Sequence, residues 1–87
     1  MSLLRLRRDG LHWIEADGEI VALDDRSLQY VSANPVGAVV WQALVEGATR
    51  EELLARILEE FEVEEGVAAR DLDGFLGELA RLGLLQG

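Results

Sequence analysis

Apolar and polar residues alternate at every second position through the first third of the chain, then switch to a helical period. Leu4, Leu6 and Arg8 alternate with Arg5 and Arg7 before a turn at Asp9-Gly10. Leu11–Ala16 runs into a second turn at Asp17-Gly18, a pair that favours tight hairpins because glycine takes positive φ at little cost. Ile20–Leu23 is a short apolar run closed by Asp24-Asp25, which reads as a turn. Ser27–Ala33 follows, with Leu28, Tyr30 and Ser32 on one face and Gln29, Val31 and Ala33 on the other. The pattern predicts three or four short antiparallel strands.

The period changes at Asn34-Pro35. Asn is a good N-cap and Pro suits the first helical position, so a helix is expected to start there. Val36, Val39, Val40, Ala43 and Leu44 recur at helical spacing until Gly47 stops them. Thr49-Arg50-Glu51-Glu52 has the form of a capping box, and its helix carries Leu53, Leu54, Ile57, Leu58 and Phe61 on one side. A third helix begins near Glu65 and presents Leu72, Phe75, Leu76, Leu79 and Leu82 as a stripe, with Gly83 as its stop and Leu84 as a contact beyond it. Gly74 and Gly77 fall opposite that stripe and read as exposed. Strands first and helices after imply an α+β fold.

Composition sharpens this picture. Eighty-seven residues suit one domain, and 49% apolar residues suffice to fill a modest core. The absence of cysteine removes disulfides and thiolate-bound zinc as staples and fits a reducing, cytoplasmic setting. A small domain without staples often gains burial from a partner, and the oligomeric state stays open. No long apolar run spans a membrane, and Met1–Trp13 lacks a signal-peptide core. A net charge of −9 repels nucleic-acid phosphate and anionic lipid, so neither is an expected partner.

Candidate chemistry is sparse. His12 has neither a second His nor a Cys to make a metal site, so it reads as an ordinary strand residue. Glu59, Glu60, Glu62, Glu64 and Glu65 lack the Asp/Asn spacing and turn glycine of a calcium loop and read as a solvated surface. Ser2, Ser27, Ser32 and Thr49 have no base in a recognisable motif. No enzyme, cofactor or metal is expected. Trp41 reads as a core anchor, whereas Tyr30 fits either the core or the lining of a groove.

From Gly18 to Leu85 the chain resembles the PqqD-like family. The resemblance is carried by Val21-Ala22-Leu23-Asp24, by Leu28-Gln29-Tyr30 leading to Asn34-Pro35-Val36-Gly37, and by Trp41. Thr49-Arg50-Glu51-Glu52-Leu53, Asp71 with Phe75-Leu76, and Leu82-Gly83-Leu84-Leu85 continue it in order. The resemblance implies a three-stranded antiparallel sheet followed by three helices in a winged-helix-like trio, residues 1–87 forming one recognition domain. It also implies a recognition element that binds the leader of a ribosomally made precursor peptide. The leader would add as a strand between the last sheet strand and the third helix, for delivery to a modifying enzyme or leader peptidase. The flavour is that of the free-standing recognition subunit of lasso-peptide synthesis. Leu3–Arg8 lies outside the resemblance, and the sequence names no partner for it.

A strand at a sheet edge offers unpaired amides and carbonyls to an extended peptide, and side pockets supply specificity. The expected peptide-binding residues are Leu28, Tyr30 and Val31 from the strand, with Asp71, Leu72, Phe75, Leu76 and Leu79 from the third helix. Two competing readings are a small DNA-binding winged helix, such as a regulator or antitoxin, and a structural subunit docking on a larger enzyme. Charge argues against the first, because Glu51–Glu65 is mostly acidic where a DNA reader needs a basic helix.

Overall fold

In the computed structural model, which describes residues 3–86, the alternating segment folds as four strands. These are β1 (Arg5–Leu6), β2 (Leu11–Ala16), β3 (Glu19–Asp24) and β4 (Gln29–Ala33). Three helices follow, α1 (Pro35–Glu46), α2 (Arg50–Glu60) and α3 (Glu65–Arg81), and a last strand β5 (Leu85–Gln86) ends the described chain. Met1, Ser2 and Gly87 lie outside the described residues. The fold is α+β, with β2, β3 and β4 forming a three-stranded antiparallel sheet in that order.

Local chemistry sets each junction. Asp17 and Gly18 both take positive φ, 55° and 79°, as the two-residue hairpin between β2 and β3 requires. The Asn34 side chain accepts the Gly37 N–H at 2.9 Å, and Pro35 occupies the first helical position. The capping box at Thr49 is complete. Its hydroxyl accepts from Glu52 N at 3.2 Å, and the Glu52 carboxylate accepts from Thr49 N at 2.8 Å. Gly83 turns the chain out of α3 at φ 76°, so that Leu84 drops fully buried into the core.

One face of the sheet packs on the helices. Ile20, Ala22 and Ala33 are buried there with Val40, Trp41, Leu44, Leu53, Ile57, Leu72, Leu79 and Leu84. Trp41 is a core residue, wholly inaccessible, and meets the half-buried Trp13 edge-on with ring centroids 6.1 Å apart.

Three expectations are corrected. The first strand is shorter than the expected Leu3–Arg8, and its partner, open in the sequence, is β5, with Arg5 opposite Gln86 and Leu6 opposite Leu85. The last sheet strand begins at Gln29, because Leu28 takes φ 57° and donates its N–H back to Asp24 O at 2.8 Å, closing the turn. Asp24 is not a turn residue. It ends β3, 4% exposed, and holds the Arg7 guanidinium.

That ion pair ties the N-terminal strand to the sheet. Arg7 also donates to Asp9 O at 3.0 Å and Gly83 O at 3.2 Å, while Asp24 accepts from Arg26 N at 3.0 Å and Ser27 Oγ at 3.1 Å. Burial pushes the Asp24 carboxyl up. The Arg26 amide, the Arg7 guanidinium and the Ser27 hydroxyl outweigh it, and the net direction is below the usual carboxylate range.

Candidate functional site

Strand order leaves β4 with one open edge, and the hydrogen-bond parity identifies which groups face it. Asp25 donates its N–H to Gly10 O at 2.8 Å, so alternate residues of β3, among them Val21 and Leu23, bond to β2. Ile20, Ala22 and Asp24 turn their amides and carbonyls to β4, opposite Ala33, Val31 and Gln29. The Leu28 bond to Asp24 O agrees with that parity. Tyr30 and Ser32 are therefore the β4 residues whose backbone N–H and C=O point outward. On β2, the other edge, the same parity leaves Leu11, Trp13 and Glu15 outward.

Side chains divide the other way. Val31 is half-buried on the helix side of the sheet. Tyr30 is 75% exposed on the far side, the face it shares by register with Leu23, Val21 and Ile14, so it belongs to neither the core nor the helix-facing groove. Leu28, 76% exposed, sits at the turn.

At the C-terminal end of β4 a cleft of about 490 Å³ opens between α1 and α3. Val36, Gly37 and Val40 form one wall, Phe75 and Gly74 the other, with Leu72 and Ile57 at its base and Asn34, Arg70 and Asp71 at its rim. The glycine in α1 has a steric cause. A Cβ on Gly37 would lie 3.0 Å from the Ala33 Cβ and 3.4 Å from Phe75 Cε1, so a missing side chain lets β4, α1 and α3 converge. Phe75 is half-buried and leans over the helix backbone at that point. The α3 wall is anchored to α2 by Arg50, whose guanidinium meets the Asp73 carboxylate at 2.7 and 2.9 Å. The Arg50 hydrogen bonds hold the Asp73 carboxyl below its ordinary range.

The structure thus brings Asp71, Leu72 and Phe75 to one cleft, walled by α1 and α3; the expected strand residues Leu28, Tyr30 and Val31 do not line it. Leu79 is fully buried and Leu76 is 9% exposed; both pack in the core and line no part of the cleft. Asn34, Val36, Gly37, Val40, Ile57, Arg70 and Gly74 also line it, and the sequence reading missed them as site residues. Asn34 and Gly37 had a signal, since a glycine inside a helical pattern just after a cap points to close approach. The apolar residues read only as core. Elsewhere His12 Nε2 lies 2.7 Å from Asp25 Oδ2 on the surface. Among the described residues no group of three or more His, Cys, Asp or Glu is placed to hold a metal ion, and no helix is long and apolar enough to cross a membrane.

Fold and site define an α+β module whose open sheet edge runs into an apolar, helix-walled cleft. The family model for coenzyme PQQ synthesis protein D (PqqD) matches residues 19–85, and the chain belongs to that family. Comparison with curated proteins finds no match. The solved structure of TbiB1 in complex with the TbiA(beta) leader peptide is similar, with a TM-score of 0.83 and 32% identity over 95% of each chain. Lasso peptide synthetase B1, complexed with the leader peptide, has a TM-score of 0.79 at 28% identity, over 97% of this chain and 98% of that one.

Proposed function

We propose that this chain is a leader-peptide recognition element of lasso-peptide biosynthesis. It holds the leader of a ribosomally made precursor and presents that precursor to a separate modifying enzyme or leader peptidase. The chain itself does no chemistry and acts in the cytoplasm as one recognition domain. The observation that carries the reading is the pairing of free Tyr30 and Ser32 backbone groups with an adjacent apolar cleft, in a fold shared with two leader-bound proteins.

The leader adds as a strand along β4. Main-chain hydrogen bonds supply affinity, and the cleft selects side chains. Phe75 provides apolar surface over the buried Leu72, with Asp71 at the rim, and Val31 adds a half-buried side chain on the helix side of the strand. Tyr30 contributes its backbone to the edge and its ring to the opposite face. Leu76 and Leu79 act from beneath by fixing α3, and Leu28 ends the edge. A net charge of −9 keeps the same fold from reading DNA.

The test is a titration of fluorescently labelled TbiA(beta) leader peptide against the protein and its Phe75→Ala variant, with thermal melts alongside. The expected result is saturable binding by the parent and at least about tenfold weaker binding by the folded variant, or about 1.4 kcal/mol. A parent that ignores the leader and a scrambled peptide alike would contradict the proposal.

A further inference from the structure

We infer that β2 is a self-association edge: two copies of this chain join by antiparallel pairing of Leu11–Ala16 about a twofold axis at Trp13. The inference goes beyond leader binding and does not depend on it, since β4 stays open in both copies.

The outer side of β2 is bare over all six residues. Leu11, Trp13 and Glu15 turn their backbone N–H and C=O groups that way. Such an edge recruits another strand unless Lys, Pro, a bulge or a covering element guards it. β2 contains neither Lys nor Pro, and its register with β3 runs unbroken from Leu11 opposite Asp24 to Ala16 opposite Glu19, so no bulge interrupts it. Ile14 adds an apolar side chain, 65% exposed, on the far face. On the helix side a cavity of about 210 Å³ opens beside Leu11 and Trp13, with Leu6, Val45 and Arg8 also lining it.

Charge selects the occupant and the register. Glu15 and Arg8 are both exposed, and neither has an ion-pair partner among the described residues. With Trp13 opposite Trp13 of the second copy, Leu11 stands opposite Glu15 of that copy. Residues directly opposite in an antiparallel pair place their side chains on the same face. Glu15 of each copy therefore comes to the cavity that Arg8 of the other lines, and the twofold makes the contact twice. All three outward residues of each strand are used, for about six main-chain bonds. A shift of two residues one way sets Glu15 against Asp9, a like charge; the other way it sets Leu11 against Asp17. The chain carries both halves of the contact, so the occupant is a second copy. One strand pair and one small cavity bury less than a standard interface, so the association belongs to the weak class.

The experiment is sedimentation velocity of the full chain between about 5 µM and about 0.5 mM, at physiological salt. The parent is expected to pass from monomer to dimer across that range. Tryptophan emission should shift to shorter wavelength as Trp13 is covered, since Trp41 is already wholly buried. Arg8→Glu and Glu15→Arg should each weaken association at least about tenfold, because like charges then meet at both contacts. Mixed in equal amounts, the two variants should pair as the parent does, since opposite charges meet again at both contacts. Melts confirm that each variant is folded. A parent that stays monomeric at the upper concentration overturns the inference and leaves the edge to a strand from another protein. A dimer indifferent to both charge reversals, or a mixture that fails to pair, overturns it as well.

Discussion

The corner where β1 meets β5 and the edge of β4 are both strand margins, and the chain treats them in opposite ways. At the corner the two ends of the described chain pair with each other, Leu6 and Leu84 are buried, and Arg7 is satisfied by two carbonyls and the Asp24 carboxylate. At β4 the backbone donors and acceptors of Tyr30 and Ser32 face outward, a tyrosine lies exposed beside them, and a cleft stands open at the strand's end. An unprotected edge is an aggregation risk that proteins ordinarily cover or charge. Here the cover is spent on the corner and withheld from β4, so stability and recognition are separable. Changes at the corner should move the melt and spare affinity, and changes at β4 should do the reverse.

The largest effect that sharpens this contrast is expected from Leu84→Ala. The side chain is wholly buried at the corner, so its truncation should lower unfolding free energy by about 2–5 kcal/mol in urea titrations, through lost burial and the cavity left behind. Leader affinity of the folded fraction should stay at the parent value. A variant with parental stability and lost affinity would break the division between the two regions.

Acid should act on the corner next. Asp24 has a folded pKa below its unfolded value, so the unfolded chain binds more protons at low pH and stability rises with pH. The contribution is complete above the ordinary carboxylate range, near about pH 4, and is lost as pH falls through the folded pKa. Urea midpoints measured from pH 6 down to pH 3 should decline, and Asp24→Asn should flatten that decline. An unchanged slope in the variant would deny the Arg7–Asp24 pair its role.

The smallest effect lies on neither region. Gly77 sits mid-helix with open space where a Cβ would go, so Gly77→Ala should stabilise the protein by about 0.5–1 kcal/mol and leave binding unchanged.

The helices were legible because their signals are local: Asn34-Pro35, the Thr49 capping box and the Gly83 stop each act within a few residues. The strand faces of Gln29–Ala33 were equally legible from their period. The β1–β5 pair was not, because two-residue strands have no period to detect and their partners lie some eighty residues apart in sequence. Asp24 was misread for a related reason, since its partner Arg7 lies seventeen residues earlier and is brought near only by tertiary pairing. At the site, Phe75 and Leu79 belong to one sequence stripe, and only the approach of α1 at Gly37 separates the half-exposed ring from the buried leucine. Leu28 looked like a strand residue because alternation does not reveal a positive φ.

The central claim is that the outward backbone groups of β4 dock the leader, and proline scanning tests it most directly. Proline removes an N–H, which an edge strand tolerates where that group was unpaired. Tyr30→Pro and Ser32→Pro should fold and lose most of their affinity for the TbiA(beta) leader peptide. Val31→Pro removes a bond to β3 and should melt far lower. Glu15→Pro, the equivalent change on the open edge of β2, should fold and bind as the parent does. If Tyr30→Pro and Ser32→Pro bind the leader with parental affinity while folded, β4 is not the docking strand and the account fails.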